Sequence, residues 1–176
     1  MVVVNIMLIG NKSSFAIEIG GLNSDHPDLR LVDFWAGNTR LCIDDNTAFV
    51  PQFLASLEWE TQKTFCSPQH DKVLDHKTPV EMAIFIKSTR DEKSANYDLY
   101  DDELYPIYQF LVLGPTTDNL SAFLFRRTDA TYFVYSFWRD AWIKGEEEVY
   151  HTIEVDFDSV IQICRSAIAE LKKDMM

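Results

Sequence analysis

The residues whose types and spacing could do chemistry gather in a few places. Cys66, His70 and His76 form a C-x3-H-x5-H arrangement with Asp71 and Asp75 between the histidines. Thiolate, imidazole and carboxylate are the groups that zinc takes as ligands. The arrangement lacks a second cysteine pair and lacks the H-E-x-x-H helix, so it matches no strong zinc signature. A polar loop carrying two exposed histidines accounts for it more simply. Cys42 follows the strand-like Arg40-Leu41 and reads as structural, and no G-x-S-x-G or cysteine–histidine signature supplies an activated nucleophile. Carboxylates pair at Asp44-Asp45, Asp101-Asp102 and Glu146–Glu148. Glycosidic cleavage needs two carboxyls facing each other across a cleft, which adjacency in sequence does not provide. Asp98-x-x-Asp101-Asp102-Glu103 lacks the glycine and the register of a calcium loop. Gly20-Gly21 stands outside any phosphate-loop pattern and reads as the turn that ends a strand. The residues therefore predict no catalytic residue, no metal and no cofactor.

Charge is more informative. The chain has 176 residues and a net charge of −12. Residues 91–105 hold six acids against Lys93, and residues 144–158 hold six against Lys144. Each window nets −5, so the two carry most of the charge. Nucleic acid and anionic membranes need basic surface, so both are excluded as partners, whereas a basic protein is permitted. Solvated loops that keep the protein soluble would explain the acids equally well. Trp142 lies outside the strand pattern and beside Glu146, Glu147 and Glu148. An aromatic at an acidic rim fits a protein-binding patch, where Trp and Tyr are enriched. Three widely spaced cysteines fit a reducing compartment. The apolar N-terminus lacks a basic flank and is strand length, so a soluble, cytoplasmic protein is expected.

Positioning these groups requires an α+β fold of one domain, residues 1–176. The pattern predicts a mostly antiparallel sheet of about six to eight strands, with two main helices at about 48–60 and 158–173 packed on it. Strands are expected at residues 2–9 (buried), 15–19, 29–35 and 39–43, the last two joined by a two-residue turn at Gly37-Asn38. Phe49, Phe53, Leu54 and Leu57 share one face of the first helix, which Asp44–Thr47 can cap. Residues 62–79 read as a long loop. Alternation predicts a strand at 80–87, with Met82, Ile84 and Ile86 on one side. A short helix is expected at 97–104, broken by Pro106, and then a covered strand at 107–113. Strands follow at 120–126, 131–138 and 149–156. The strand at 131–138 is apolar on both faces, so it should be central with material packed on each side. The strand at 149–156 has one polar face and should lie near an edge. Ser159-x-x-Gln162 matches a capping box for the last helix, whose buried stripe is Val160, Ile161, Cys164, Ile168 and Leu171.

Ile9-Gly10-Asn11, Phe15-Ala16-Ile17-Glu18 and Phe34-Trp35-x-Gly37, followed by a hairpin return into a helix, resemble immunity proteins of bacterial polymorphic-toxin and contact-dependent growth-inhibition (CdiI-like) systems. The specific likeness covers about the first third of the chain, and residues 62–103 match nothing in it. The resemblance implies a small, acidic, cytoplasmic α+β protein that is not an enzyme. Such a protein binds the toxin domain encoded beside it. Many such toxins are nucleases with basic clefts, and complementary charge would steer an acidic partner there. On the charge argument the toxin-facing residues are Asp98, Tyr100, Asp101, Asp102, Glu103, Trp142, Glu146, Glu147 and Glu148. The alternatives are a small hydrolase or ligand-binding protein with an unrecognised pocket, and a nucleic-acid-mimicking inhibitor unrelated to immunity. A deep pocket with perturbed titratable groups favours an enzyme, and an acidic face with exposed aromatics favours an inhibitor.

Overall fold

The structure, a computed structural model, describes residues 6–22, 25–43, 45–66, 72–138, 145 and 148–173. The first half of the chain makes one antiparallel sheet. Strands β1 (Met7–Gly10), β2 (Phe15–Leu22), β3 (Leu29–Ala36) and β4 (Thr39–Arg40) lie side by side in that order. β5 (Thr47–Phe49) pairs with the other end of β3. Alternation sets the faces. Phe15, Ile17 and Ile19 on β2 and Val32, Phe34 and Ala36 on β3 are buried in one core. Glu18, Asp33 and Trp35 occupy the other face, where Arg40 Nε donates to Asp33 Oδ1 at 2.6 Å. Gly37 and Asn38 take φ of 57° and 64°, the positive values that the two-residue turn was expected to need. A Cβ on Gly37 would lie 2.7 Å from Ile153 Cδ1, so the turn also presses against the second sheet.

Helix α1 (Val50–Glu60) leads through a connector to α2 (Pro79–Ser88) and the short α3 (Leu104–Tyr108). Strands β6 (Leu120–Arg126), β7 (Thr131–Phe137) and β8 (His151–Val155) form the second antiparallel sheet, in chain order, and α4 (Phe157–Lys172) closes the fold. β7 is the central strand of that sheet, as its two-faced pattern required. Its register places Phe133, Tyr135 and Phe137 opposite Leu124, Ala122 and Leu120, all facing the core shared with the first sheet, α1 and α4. On the opposite face Val134 sits across from Phe123, and these two join Phe125 in a second core with Met82, Ala83 and Ile86 of α2 and Leu104 and Tyr108 of α3. β8 is an edge strand with Thr152 and Glu154 exposed, as expected. The fold class is the anticipated α+β with antiparallel pairing, its eight strands divided between two sheets.

Several local expectations fail for identifiable reasons. Residues 79–88 are helical, not a strand at 80–87. Thr78 Oγ1 accepts from Glu81 N while Glu81 Oε2 accepts from Thr78 N, and Pro79 takes the first turn. Ile84, expected on the same face as Met82 and Ile86, is exposed while they are buried. The covered strand at 107–113 is replaced by α3 and an irregular stretch that keeps a single bridge, Gln109 to Phe123. Pro106 falls in the first turn of α3, where a missing N–H costs nothing. The short helix expected at 97–104 contracts to one 3₁₀ turn, Leu99–Asp102. β2 runs through Gly20-Gly21 to Leu22 with a register shift, so the glycines do not end it. β4 is two residues long, not the five expected. Phe49 belongs to β5 and is exposed, and no side chain among Asp45–Thr47 caps α1. α4 begins at Phe157 after Asp156, so Ser159 lies inside its first turn and the capping box does not form. The loop expected at 62–79 turns helically at residues 72–74, and Phe65 and Leu74 are buried. β1, read as buried, is a partly exposed edge, and residues 2–5 of that expected strand lie outside the described residues.

The irregular stretch needs partners for its backbone, because buried N–H and C=O groups left unpaired are costly. A buried ion pair supplies them. Glu60, with no exposed surface, ends α1 and accepts from Val112 N through Oε1 at 3.1 Å and from Lys63 Nζ through Oε2 at 3.1 Å. Lys63 also donates to the carbonyl of Gln109, and its ammonium lies 4.4 Å from the Trp59 ring centroid. Burial raises the Glu60 carboxyl above its ordinary value and lowers the Lys63 ammonium. Lys63→Met should therefore strand a buried carboxylate and cost about 3–5 kcal/mol. Glu60→Gln combined with Lys63→Met keeps the Val112 acceptor and should recover most of that loss. In Lys63→Met alone the folded state holds its proton on Glu60 to higher pH than the unfolded chain does. Stability should then be highest below the unfolded carboxyl value and fall as pH rises through the raised one. Urea denaturation of the three proteins between about pH 4 and 8 measures both effects.

Candidate partner-binding surface

The first acidic window hangs from the C-terminal end of α2. Thr89, almost fully buried, donates its hydroxyl to the carbonyl of Ile86 and accepts at its own carbonyl from Asp98 N at 2.9 Å. Asn96 Nδ2 donates to Ser88 Oγ at 2.9 Å. The chain then turns tightly: Asp98, Tyr100 and Asp102 have φ of 60°, 68° and 60°. Left-handed backbone at a non-glycine residue is unfavourable, most of all for a bulky side chain, so three in five residues need outside support. Two contacts provide it. The Tyr100 ring packs 6.2 Å from Phe85. Arg90 grips Asp102 in bidentate fashion, Nε to Oδ1 at 2.5 Å and Nη2 to Oδ2 at 2.6 Å, with its Cζ 3.7 Å from the Tyr105 ring centroid. The Arg90 hydrogen bonds hold the Asp102 carboxyl below its usual range and push the guanidinium up. Asp102 is therefore charge-compensated, unlike the open acid the sequence suggested.

The second window returns to the same end of α2. Glu148, at φ of 66°, donates its N–H to Phe137 O at 2.5 Å, which brings it and Val149 beside the end of β7. Trp138 and Val149 are both more than two-fifths exposed there. The next residue, Tyr150, has Lys87 Nζ 5.6 Å from its ring centroid. Burial pushes Tyr105 up to about 12, and the neighbouring Tyr150 phenol opposes its ionisation further. The structure thus brings Tyr100 against Phe85 of α2 and Tyr150, two residues after Glu148, near Lys87 of α2, with Asp102 held by Arg90 just beyond that helix. Asp98 and Glu103 flank the same turn, with Tyr97 and Leu99 exposed beside them. Trp142, Glu146 and Glu147 lie outside the described residues, as does the side chain of Asp101.

Sequence reasoning missed Arg90, Tyr97, Leu99, Trp138 and Val149 as parts of this surface. A lone arginine at the head of an acid-rich window was the available signal for Arg90. Trp138 was read as strand core, and only the end of β7 at Phe137 shows that it falls outside. The other chemical candidates stay scattered. Cys42 is fully buried, and burial pushes its thiol up to about 12, so the nucleophilic thiolate is disfavoured. Cys164 is buried and shifted the same way. Cys66 is partly exposed, while His70 and Asp71 lie outside the described residues; among the described residues no group of three ligating side chains gathers. A pocket of about 360 Å³ opens over Leu74, Met82 and Phe125 beneath the turn joining β6 to β7. Its described lining contains no Cys, His or Ser, and its Arg127 donates to the carbonyls of Asp75 at 2.9 Å and Lys77 at 3.2 Å.

Neither a family model nor a curated protein matches the chain. Among solved structures, it is similar to a crystal structure of CdiI from Burkholderia dolosa AUO158, with a TM-score of 0.61 and 14% identity, covering 93% of this chain and 99% of that one. At that identity the likeness is one of fold, and it extends over nearly the whole of both chains.

Proposed function

We propose that residues 1–176 form one immunity protein of the contact-dependent growth-inhibition kind. In this reading it is cytoplasmic, carries out no catalysis, and neutralises the toxin domain encoded beside it. The observation that carries the reading is the fold shared with CdiI along nearly the full length of both chains. The acidic balance supports it, since a net charge of −12 suits a basic toxin domain such as a nuclease. Inhibition is by occlusion of the active or substrate-binding site.

The binding surface in this proposal is the C-terminal end of α2 with the two acidic windows: Asp98, Tyr100, Asp101, Asp102, Glu103 and Glu148, joined by Trp142, Glu146 and Glu147. Its chemistry divides into two roles. The acids steer the partner and set selectivity, while the exposed Tyr97, Leu99, Trp138 and Val149 provide apolar area that tightens the docked complex. Arg90 keeps the strained turn in one shape before the partner arrives.

Co-expression with the C-terminal domain of the adjacent toxin gene tests the function. Cells making that domain alone should stop growing, and cells making both proteins should grow and yield a stable complex. Absence of both protection and complex would overturn the proposal. The surface is tested separately. Replacing Asp98, Asp101 and Glu103 together with lysine should weaken binding at least about 100-fold at low salt and flatten its salt dependence. The same substitution of Glu146, Glu147 and Glu148 should act similarly. If both triple variants bind with unchanged affinity and salt dependence, the toxin docks elsewhere.

Arg90→Met separates charge from shape. It removes a surface ion pair worth about 1 kcal/mol or less, so the fold should hold. It also makes the surface more negative, so charge alone predicts faster association. Loss of the pre-formed turn instead predicts dissociation faster by about tenfold, which surface plasmon resonance resolves.

A further inference from the structure

The sequence and surroundings of β1 disagree. It ends the order of the first sheet, so among the described residues no strand pairs with its outer side. Natural proteins protect such edges with charge, proline, bulges or a covering element. Ile6, Met7, Leu8 and Ile9 carry none of these. Ile6 is 58% exposed, Met7 41% and Leu8 47%, on both faces of the sheet: Met7 lies in the row of Ile19, which faces the core, and Leu8 in the row of Glu18, which faces out.

We propose that this edge pairs with the same edge of a second copy, antiparallel about a two-fold axis through Leu8. The occupant follows from three observations. An antiparallel edge is self-complementary under a two-fold, and this register places Leu8 opposite Leu8, Met7 opposite Ile9 and Ile6 opposite Gly10. Gly10, at φ of 95°, ends the strand, so the pairing terminates cleanly on both sides. Charge selects the partner as well. The nearest acid on the adjacent strand, Glu18, is bridged by Lys12, so the edge is locally neutral and offers nothing to a basic protein. The acidic turn instead belongs to the layer beyond the second sheet. Two copies therefore meet at a locally neutral edge, away from the acidic turn. The segment is short, and the pairing buries less than the roughly 1,200 Å² of a stable interface, so the dimer is weak and concentration-dependent. The inference is independent of the proposed function, because the toxin surface stays open in the dimer.

Sedimentation velocity of the full chain from about 1 to 500 µM tests it. A shift from monomer to dimer over that range is expected. Leu8→Lys, at a position exposed enough to accept it, should keep the protein monomeric at every concentration with its circular dichroism unchanged. Leu8→Cys, mildly oxidised, should trap a disulfide-linked dimer. If Leu8→Lys unfolds the chain, Leu8→Cys decides alone. A monomer throughout, a dimer indifferent to Leu8→Lys, a failure of Leu8→Cys to cross-link, or open-ended oligomers would each overturn the proposal.

Discussion

A strand that is apolar on both faces cannot lie against water on either, and β7 imposes that constraint on the whole chain. One row of its side chains, Phe133, Tyr135 and Phe137, calls for a core on one side, and Val134, opposite Phe123, calls for another on the reverse. The first sheet with α1 and α4 fills the former, and α2 with α3 fills the latter. Rings meet across these layers: Phe15 of β2 lies 5.8 Å from Phe133, and Tyr108 of α3 lies 5.5 Å from Phe125 of β6. Burying an aromatic or large aliphatic side chain contributes about 1.5–3 kcal/mol, so the two faces of this sheet outweigh any single polar contact in the fold. The layering also separates the acidic turn from the apolar edge of β1. The acidic turn lies on the α2 layer, and the apolar edge of β1 lies on the far sheet.

Glu60 and Lys63 solve the problem that this layering creates. The chain must pass from α3 to β6 across the first core with a single bridge, Gln109 to Phe123, to the sheet, which leaves most of the backbone of residues 109–113 without strand partners. Leu111 there is itself left-handed, at φ of 62°. Phe110 N–H reaches Ala122 O, Val112 N–H reaches Glu60, and Leu113 N–H reaches Thr117 Oγ1. Desolvating two charges is expensive, and an apolar pair of the same shape would often be as stable. An apolar pair could not accept from Val112 or donate to Gln109. What the ion pair contributes is a fixed path for a strandless segment.

The legible part of this fold was the part ruled by alternation. The Gly37-Asn38 hairpin, the two faces of β7, the edge position of β8 and the stripe of α4 all follow from period-two or helical spacing, and all stand in the structure. Residues 79–88 show why the rest was harder. Val80-Glu81-Met82-Ala83-Ile84-Phe85-Ile86 is apolar enough to satisfy either period. The decision rests on Thr78, Pro79 and Glu81, a capping box with proline in its first turn, which outranks the ambiguous pattern behind it. The run at 107–113 misled for a different reason. It is buried like a strand, but side chains remote in sequence satisfy its backbone, and no local pattern encodes Glu60 as an acceptor for Val112. For the candidate surface, net charge by window located the acids, but it could not show that one of them, Asp102, is held by Arg90.

That pairing changes how the acidity should be understood. Two −5 windows suggest a diffuse negative field, yet Lys87 lies against Tyr150 and Arg90 neutralises Asp102 at contact range. Beyond about 8 Å at physiological salt such fields are largely screened, so in the proposed function the other acids guide only the last stage of approach. In the proposed function, what then holds a partner is local: the exposed Trp138 and Val149, with Tyr97 and Leu99 beside a left-handed turn that Arg90 braces through Asp102. On that reading charge admits the partner and shape retains it, and Arg90 links the two through its grip on Asp102.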